Sequence, residues 1–322
     1  MYIRLFSCLC LMLLAAGCGS PSLLITPVSN TSELQEVSVA QGRAFGGKIA
    51  IIEVEGMLLD DRTGGLLQPS ENPLSLFVQE LSQAADDDAV KAVILRVNSP
   101  GGSVTTSDTM YDALLRFKAK THKPVIASAQ EVAASGAYYV SCGADKIIVS
   151  PTSIVGSIGV IFESFEFEDT LEKLGAREVS IKSAPLKDMA SPYTHLTPEA
   201  RAVMQDMVDE YYARFKNVVI TSRGIKDAKT LALVTDGRVF SGQNAVTLGL
   251  ADQTGRLDDA IDMARRMADA PGAEVVMYKR PYGYSGSIYA EMPLPEPHSN
   301  SMNLKLPMSN WLPGGFYYLW QP

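Results

Sequence analysis

Apolar residues along this chain change their spacing from segment to segment, and each change marks an element. The run KIAIIEVEG at 48–56 is apolar enough for a strand buried in a sheet. NPLSLFVQELSQAA at 72–85 has helical spacing: Asn72 can cap, Pro73 suits the first turn, and Leu74, Phe77, Val78 and Leu81 share a face. AVILRV at 92–97 predicts a second strand, followed by the glycine turn SPGG and a helix over 104–119. PVIAS at 124–128 reads as a third strand. A short helix starts near Ala133, and KIIVS at 146–150 reads as a fourth strand. Strands alternating with helices in this rhythm predict an α/β fold, a parallel sheet covered by helices.

Downstream, LTPEARAVMQDMVDEYYARFKNVV opens with Thr197 as cap and Pro198 in the first turn. Met204, Met207, Val208, Tyr211, Tyr212 and Phe215 then form one apolar stripe, which reads as core rather than a cofactor contact. No repeat occurs at domain scale. The domain is expected over 46–280. The tail 281–322 reads as Pro- and Ser-rich and irregular, yet it ends in LPGGFYYLWQP, which is aromatic for a free terminus. Either the domain or a neighbouring chain could take that end.

The start of the chain has a different pattern. After Arg4 the apolar run Leu5–Ala16 is too short for a bilayer core of about 30 Å, which needs roughly 20 helical residues. It fits the apolar region of a signal peptide over 1–17. Leu14-Ala15-Ala16-Gly17-Cys18 resembles a bacterial lipoprotein cleavage box, which implies cleavage before Cys18 and lipidation of its thiol. An ordinary cleaved signal is the alternative, and either would export the body. Acyl chains on Cys18 would hold the protein on the extracytoplasmic face of a membrane. Residues 18–45, rich in Ser, Thr, Pro and Gln, read as a tether.

Composition narrows the function. A 46% apolar and 20% charged chain is globular, and a formal charge of −8 argues against a nucleic-acid partner. No glycine-rich phosphate loop is found, and the three histidines, His122, His195 and His298, are too scattered for a metal site. No cofactor is called for. Cys142 is the one cysteine of the body and reads as core.

Three segments could together perform acyl transfer. In NSPGGSV (98–104) the glycines leave backbone N–H groups able to bind an oxyanion, although a plain tight turn explains them equally well. In AASGAYY, Ser135 stands at a helix start among residues small enough for a substrate backbone to approach. A serine nucleophile needs a base. His195 in SPYTHLTPE is a better histidine for this than His122. Lys182 is the other option, since it follows the apolar Val179-Ser180-Ile181 and lacks the acidic neighbour that Lys187 has in Asp188. A lysine base must be desolvated until its pKa falls from about 10.4 to near 7–8.

The motifs RVNSPGGSV, AASGAYYVSCGADKIIVSPTSIVGSIGV, IKSAPLKDMASP and DGRVFSGQNAVTLGLAD, in this order, resemble the signal peptide peptidase A family over about residues 47–267. The resemblance implies a Clp protease/crotonase-like superhelix of ββα units and a serine endopeptidase with a Ser–Lys dyad. Ser135 is then implied as nucleophile, Lys182 as general base, and Ser157 of the G-S-I-G motif as the group orienting the lysine amine. Gly101 and Gly102, with the Ser135 amide, are implied as oxyanion donors. Peptide substrates such as cleaved signal peptides are implied, in the bacterial envelope, together with a homo-oligomeric ring. In such a ring serine and lysine come from neighbouring chains. The chain departs from the family in having Gly136-Ala137 where two glycines are common, a lipobox instead of a membrane span, and one domain copy. The alternatives are an inactive membrane scaffold of the same fold, a crotonase-like acyl-CoA enzyme, and a Ser–His peptidase using His195.

Overall fold

The computed structural model describes residues 33–43, 46–61, 72–280 and 315–321. The signal-peptide segment and Cys18 lie outside the described residues. Leu34–Pro322 forms one compact unit.

The long apolar runs become the centre of a sheet. β2 (Lys48–Leu58), β3 (Val90–Ser103), β4 (Val125–Ala134) and β5 (Lys146–Val149) lie side by side and parallel. Their runs are nearly continuous because both faces are covered. On one face Ile52, Val54, Val93, Leu95 and Val97 pack into the larger core with α1 (Pro73–Asp86), α2 (Val104–Thr121) and α3 (Gly136–Ser141). On the other, Ile49, Ile51, Ile94, Ile126 and Ile148 pack against the Leu257, Ala260, Ile261 and Ala264 stripe of α8 (Leu257–Met267). The predicted caps are present: the Asn72 and Thr197 side chains accept from Ser75 N–H and Ala200 N–H.

The sheet forks at its C-terminal end. β3 and β4 stay paired as far as Ser99↔Ala133. Beyond that point the end of β4 pairs with β6 (Ile154–Gly156), whose partner is β8 (Val239–Ser241). The tip of β3 pairs with the end of β2 on one side and with β11 (Gly315–Leu319) on the other; β11 in turn pairs with β7 (Ile161–Glu163). After β7, the chain runs through the short α4 (Glu168–Lys173) to α5 (Pro198–Arg223), then α6 (Ala228–Val234) and α7 (Gly242–Thr247).

Several expectations change. The segment read wholly as tether contains β1 (Gln35–Ala40), which pairs antiparallel with β10 (Glu274–Lys279) and closes one edge of the sheet. β10 is itself parallel to β2, and β9 (Gln253–Thr254) lies at the opposite edge. Isolated polar residues hid β1, because an edge strand half-open to water needs no apolar run. SPGG is a continuation of β3 rather than a turn, and Ser103 caps α2 directly. A register shift between Glu55 and Met57 on β2 absorbs the irregularity. The apolar Val179-Ser180-Ile181 forms no strand.

Candidate active site

Ser135 occupies the single residue between the end of β4 and the start of α3. Its φ of 52° is positive, outside the region that residues with a side chain prefer. Strain of this kind is stable only where the surroundings impose it. Here the Ser135 N–H donates to Gly156 O at 2.7 Å, extending the β4–β6 ladder by one step. Its Oγ is buried and, among the described residues, has no hydrogen-bond partner. A buried hydroxyl left unpaired is uncommon and points to a group reserved for something outside the chain.

Ser157 follows Gly156 and also has a positive φ, 51°. Its N–H donates to Arg238 O at 2.8 Å, and the residue is buried. The ladder register therefore brings Ser135 and Ser157, the two serines singled out in the sequence, to the same end of adjacent strands.

The glycines are required by close backbone approach. A Cβ on Gly101, where φ is +99°, would stand 2.1 Å from Tyr318 O and 2.6 Å from the Gly136 nitrogen. A Cβ on Gly102 would stand 2.1 Å from Leu58 O. The oxyanion assignment changes in detail. Gly101 N–H donates to Ser99 Oγ at 3.1 Å, and the Ser135 amide is taken by Gly156. The amide facing the same space as the Gly101 α-carbon is that of Gly136, which starts α3 and has no acceptor within the helix. Sequence reading missed Gly136; the clue was its place directly after Ser135 at a strand-to-helix turn.

The base candidates are scattered. Lys182 lies in an exposed excursion between α4 and α5. It ion-pairs with Asp188 at 2.5 Å rather than entering an apolar pocket. Val179 and Ile181 beside it are 84% and 100% exposed, so they build no apolar wall around the amine. Among the described residues Ser135 Oγ has no hydrogen-bond partner, so it is not bonded to Lys182 of the same chain. His195 is exposed and surrounded by Glu166, Glu168 and Asp169. The hydrogen bond to Glu166 and the charge of the other two push its pKa up, which favours the imidazolium over a base. His122 terminates α2 in the left-handed conformation. Cys142 is buried in the core, where desolvation pushes its thiol up to about 11. Among the described residues no group of His, Cys, Asp and Glu could hold a metal ion, and no helix is long and apolar enough to cross a membrane.

Comparison with known proteins identifies the family. The profile of peptidase family S49 matches residues 117–270, and that of Clp protease matches residues 47–154. A protein of Enterococcus faecium named for signal peptide peptidase SppA is 35% identical over 77% of this chain and 72% of its own. A protein of Methanocaldococcus jannaschii named as a protease is 34% identical over 73% of this chain and 75% of its own. Protease 4 of Salmonella typhi is 33% identical over 69% of this chain but only 35% of its own length. The fold is the mixed α/β fold of the Clp protease type. The chain belongs to peptidase family S49 and is a serine protease related to signal peptide peptidase SppA.

Proposed function

We propose that this protease works by a Ser–Lys dyad shared between subunits. The carrying observation is Ser135, buried, unpartnered and held at positive φ beside Ser157. The Ser135 hydroxyl would add to a peptide carbonyl while Lys182 of a neighbouring chain takes its proton. Ser157 would direct the lysine amine, and the Gly136 amide would receive the oxyanion. The exposed Val179 and Ile181 support this, since burying them against a second copy would desolvate Lys182 and draw it from Asp188. A homo-oligomeric ring would then be a condition of activity. Substrates would be extended peptides, cleaved signal peptides among them, met at the extracytoplasmic face where lipidated Cys18 holds the chain.

Peptide hydrolysis by the purified chain and its variants tests the dyad. Ser135→Ala and Lys182→Ala each lose activity by at least about a thousandfold, while His195→Ala keeps it. Mixing the two inactive variants under conditions of subunit exchange restores part of the activity, because mixed contacts pair an intact serine with an intact lysine. Normal cleavage by Lys182→Ala would overturn the dyad. Failure of the mixture to recover would overturn its sharing between chains.

A further inference from the structure

Between Val97 and Gly101, β3 loses its regular pairing on both sides at once. On the β2 side, the pairs Glu55↔Asn98 and Met57↔Gly101 leave Gly56 opposite two residues, Ser99 and Pro100. On the β4 side, the pairs Val97↔Ala129 and Ser99↔Ala133 leave residues 130–132 opposite Asn98 alone. Irregularities of this kind interrupt the ladder and re-aim the chain beyond them. Two side chains supply bonds that the ladder lacks there. Asn98 Oδ1 accepts from Val132 N–H at 3.2 Å. Pro100 has no N–H to offer Gly56, and the Ser99 hydroxyl donates to Gly56 O at 2.6 Å.

The same hydroxyl has a second bond. Ser99 is fully buried, and its Oγ also accepts from Gly101 N–H at 3.1 Å. One oxygen therefore acts as donor to β2 and acceptor from β3, which a hydroxyl can do and a methyl group cannot. A buried polar group with its bonds satisfied favours one arrangement of the backbone around it. Here the arrangement is that of the Pro100–Gly101 peptide, leading into a residue with φ of +99°. Gly101 lies so close to the Gly136 nitrogen that a Cβ on it would stand 2.6 Å away. These two glycines sit on opposite arms of the fork. Direct pairing of β3 with β4 ends at Ser99↔Ala133, so Ser99 is the last residue of β3 held against the arm that carries Gly136.

We propose that Ser99 is a positioning residue for catalysis: its hydroxyl locks the Pro100–Gly101 peptide so that Gly101 keeps open the space in which the Gly136 amide meets the oxyanion. The inference rests on the peptidase reading above and adds to it a residue that acts through Gly101 rather than on the substrate. Without the hydroxyl, Gly101 N–H and Gly56 O both lose this partner, the peptide between Pro100 and Gly101 can turn, and the Gly101 α-carbon shifts against the Gly136 nitrogen. The oxyanion forms only when the peptide carbonyl is attacked. The loss therefore falls on the transition state and leaves substrate binding as it was.

Steady-state hydrolysis of a fluorogenic peptide by Ser99→Ala tests this, with kcat expressed per serine that reacts with a fluorophosphonate so that unfolded molecules do not count. The expected kcat is lower by at least about tenfold, with KM within about twofold of the natural chain. Deleting an oxyanion donor outright costs about a hundredfold or more; here the donor is displaced, not removed. A hydroxyl that only supports the fold would lower the thermal midpoint and leave kcat per reactive serine unchanged. That result overturns the inference while the peptidase reading stands, and so does a raised KM at full kcat. Should Ser99→Ala not fold, Ser99→Cys decides, because its thiol fills the same place but is a weaker donor and acceptor. The same fall at constant KM is expected of it, and full kcat overturns the inference. A natural chain that neither hydrolyses peptides nor reacts at Ser135 with a fluorophosphonate overturns both readings.

Discussion

Ser135, Ser157 and Gly101 all have positive φ, and their strain is concentrated where two strand ends part. Gly101 tolerates this for lack of a side chain. Gly101→Ala should lower stability by at least about 1–3 kcal/mol, read as a lower thermal midpoint, and should abolish activity even in molecules that fold. Its Cβ would collide with both the Gly136 nitrogen and the Tyr318 carbonyl oxygen. His195 gives a separate residue-scale prediction. Its pKa is raised by Glu166 first, then by Glu168 and Asp169, so its titration followed by NMR should have a midpoint above the ordinary value of about 6.5. Its contribution is complete below that ordinary value and is lost as pH rises through the raised one. The protection factors of amides in the loop carrying Lys182, corrected for intrinsic base-catalysed exchange, should therefore fall as pH rises through that midpoint, and a midpoint at or below 6.5 would contradict the arrangement. The residue scale is also where sequence served the site best. Small-residue motifs pointed to Ser135 and the paired glycines and the family resemblance to Ser157, and the register sets both serines at adjacent strand ends, whereas the open Gly136 amide left no trace, since no motif records which N–H a neighbouring strand consumes.

The strands and helices followed the hydrophobic pattern where burial is two-sided, and departed from it at the edges. β2, α1, β3, α2 and α5 appear within a few residues of the apolar runs and caps that announce them. β1 and β11 do not, because an edge or inserted strand is held by pairing partners far away in sequence. Polar positions inside a strand mark another feature. Glu53, Arg96 and Lys279 continue the α8-facing rows of β2, β3 and β10 beyond the helix, and they are joined as buried ion pairs, Glu53 bonding to both cations. Glu53→Ala should destabilise the fold by roughly 3 kcal/mol, because it leaves Lys279 buried without that carboxylate. Chemical denaturation measures it, and a loss under about 1 kcal/mol would show that the cluster relaxes into water.

For the whole molecule, the decisive feature is an excursion that one chain leaves uncovered. Val179 and Ile181 are exposed beside the lysine that the family resemblance makes the base. The double substitution Val179→Asp with Ile181→Asp should leave the domain folded, reduce the assembly to monomers by light scattering, and remove peptidase activity. A monomeric protein that cleaves peptides as before would refute the shared site.

Sequence by itself determined the α/β architecture, the buried central strands and the family, because apolar spacing and short motifs are local properties of a chain. Tertiary structure decided which amides near Ser135 remain open, that Lys182 pairs with Asp188 within its own chain, and that the aromatic C-terminus lies as a strand against Gly101 and Gly102. Each depends on contacts between segments tens to hundreds of residues apart, and backbone pairing between such segments leaves almost no trace in side-chain order.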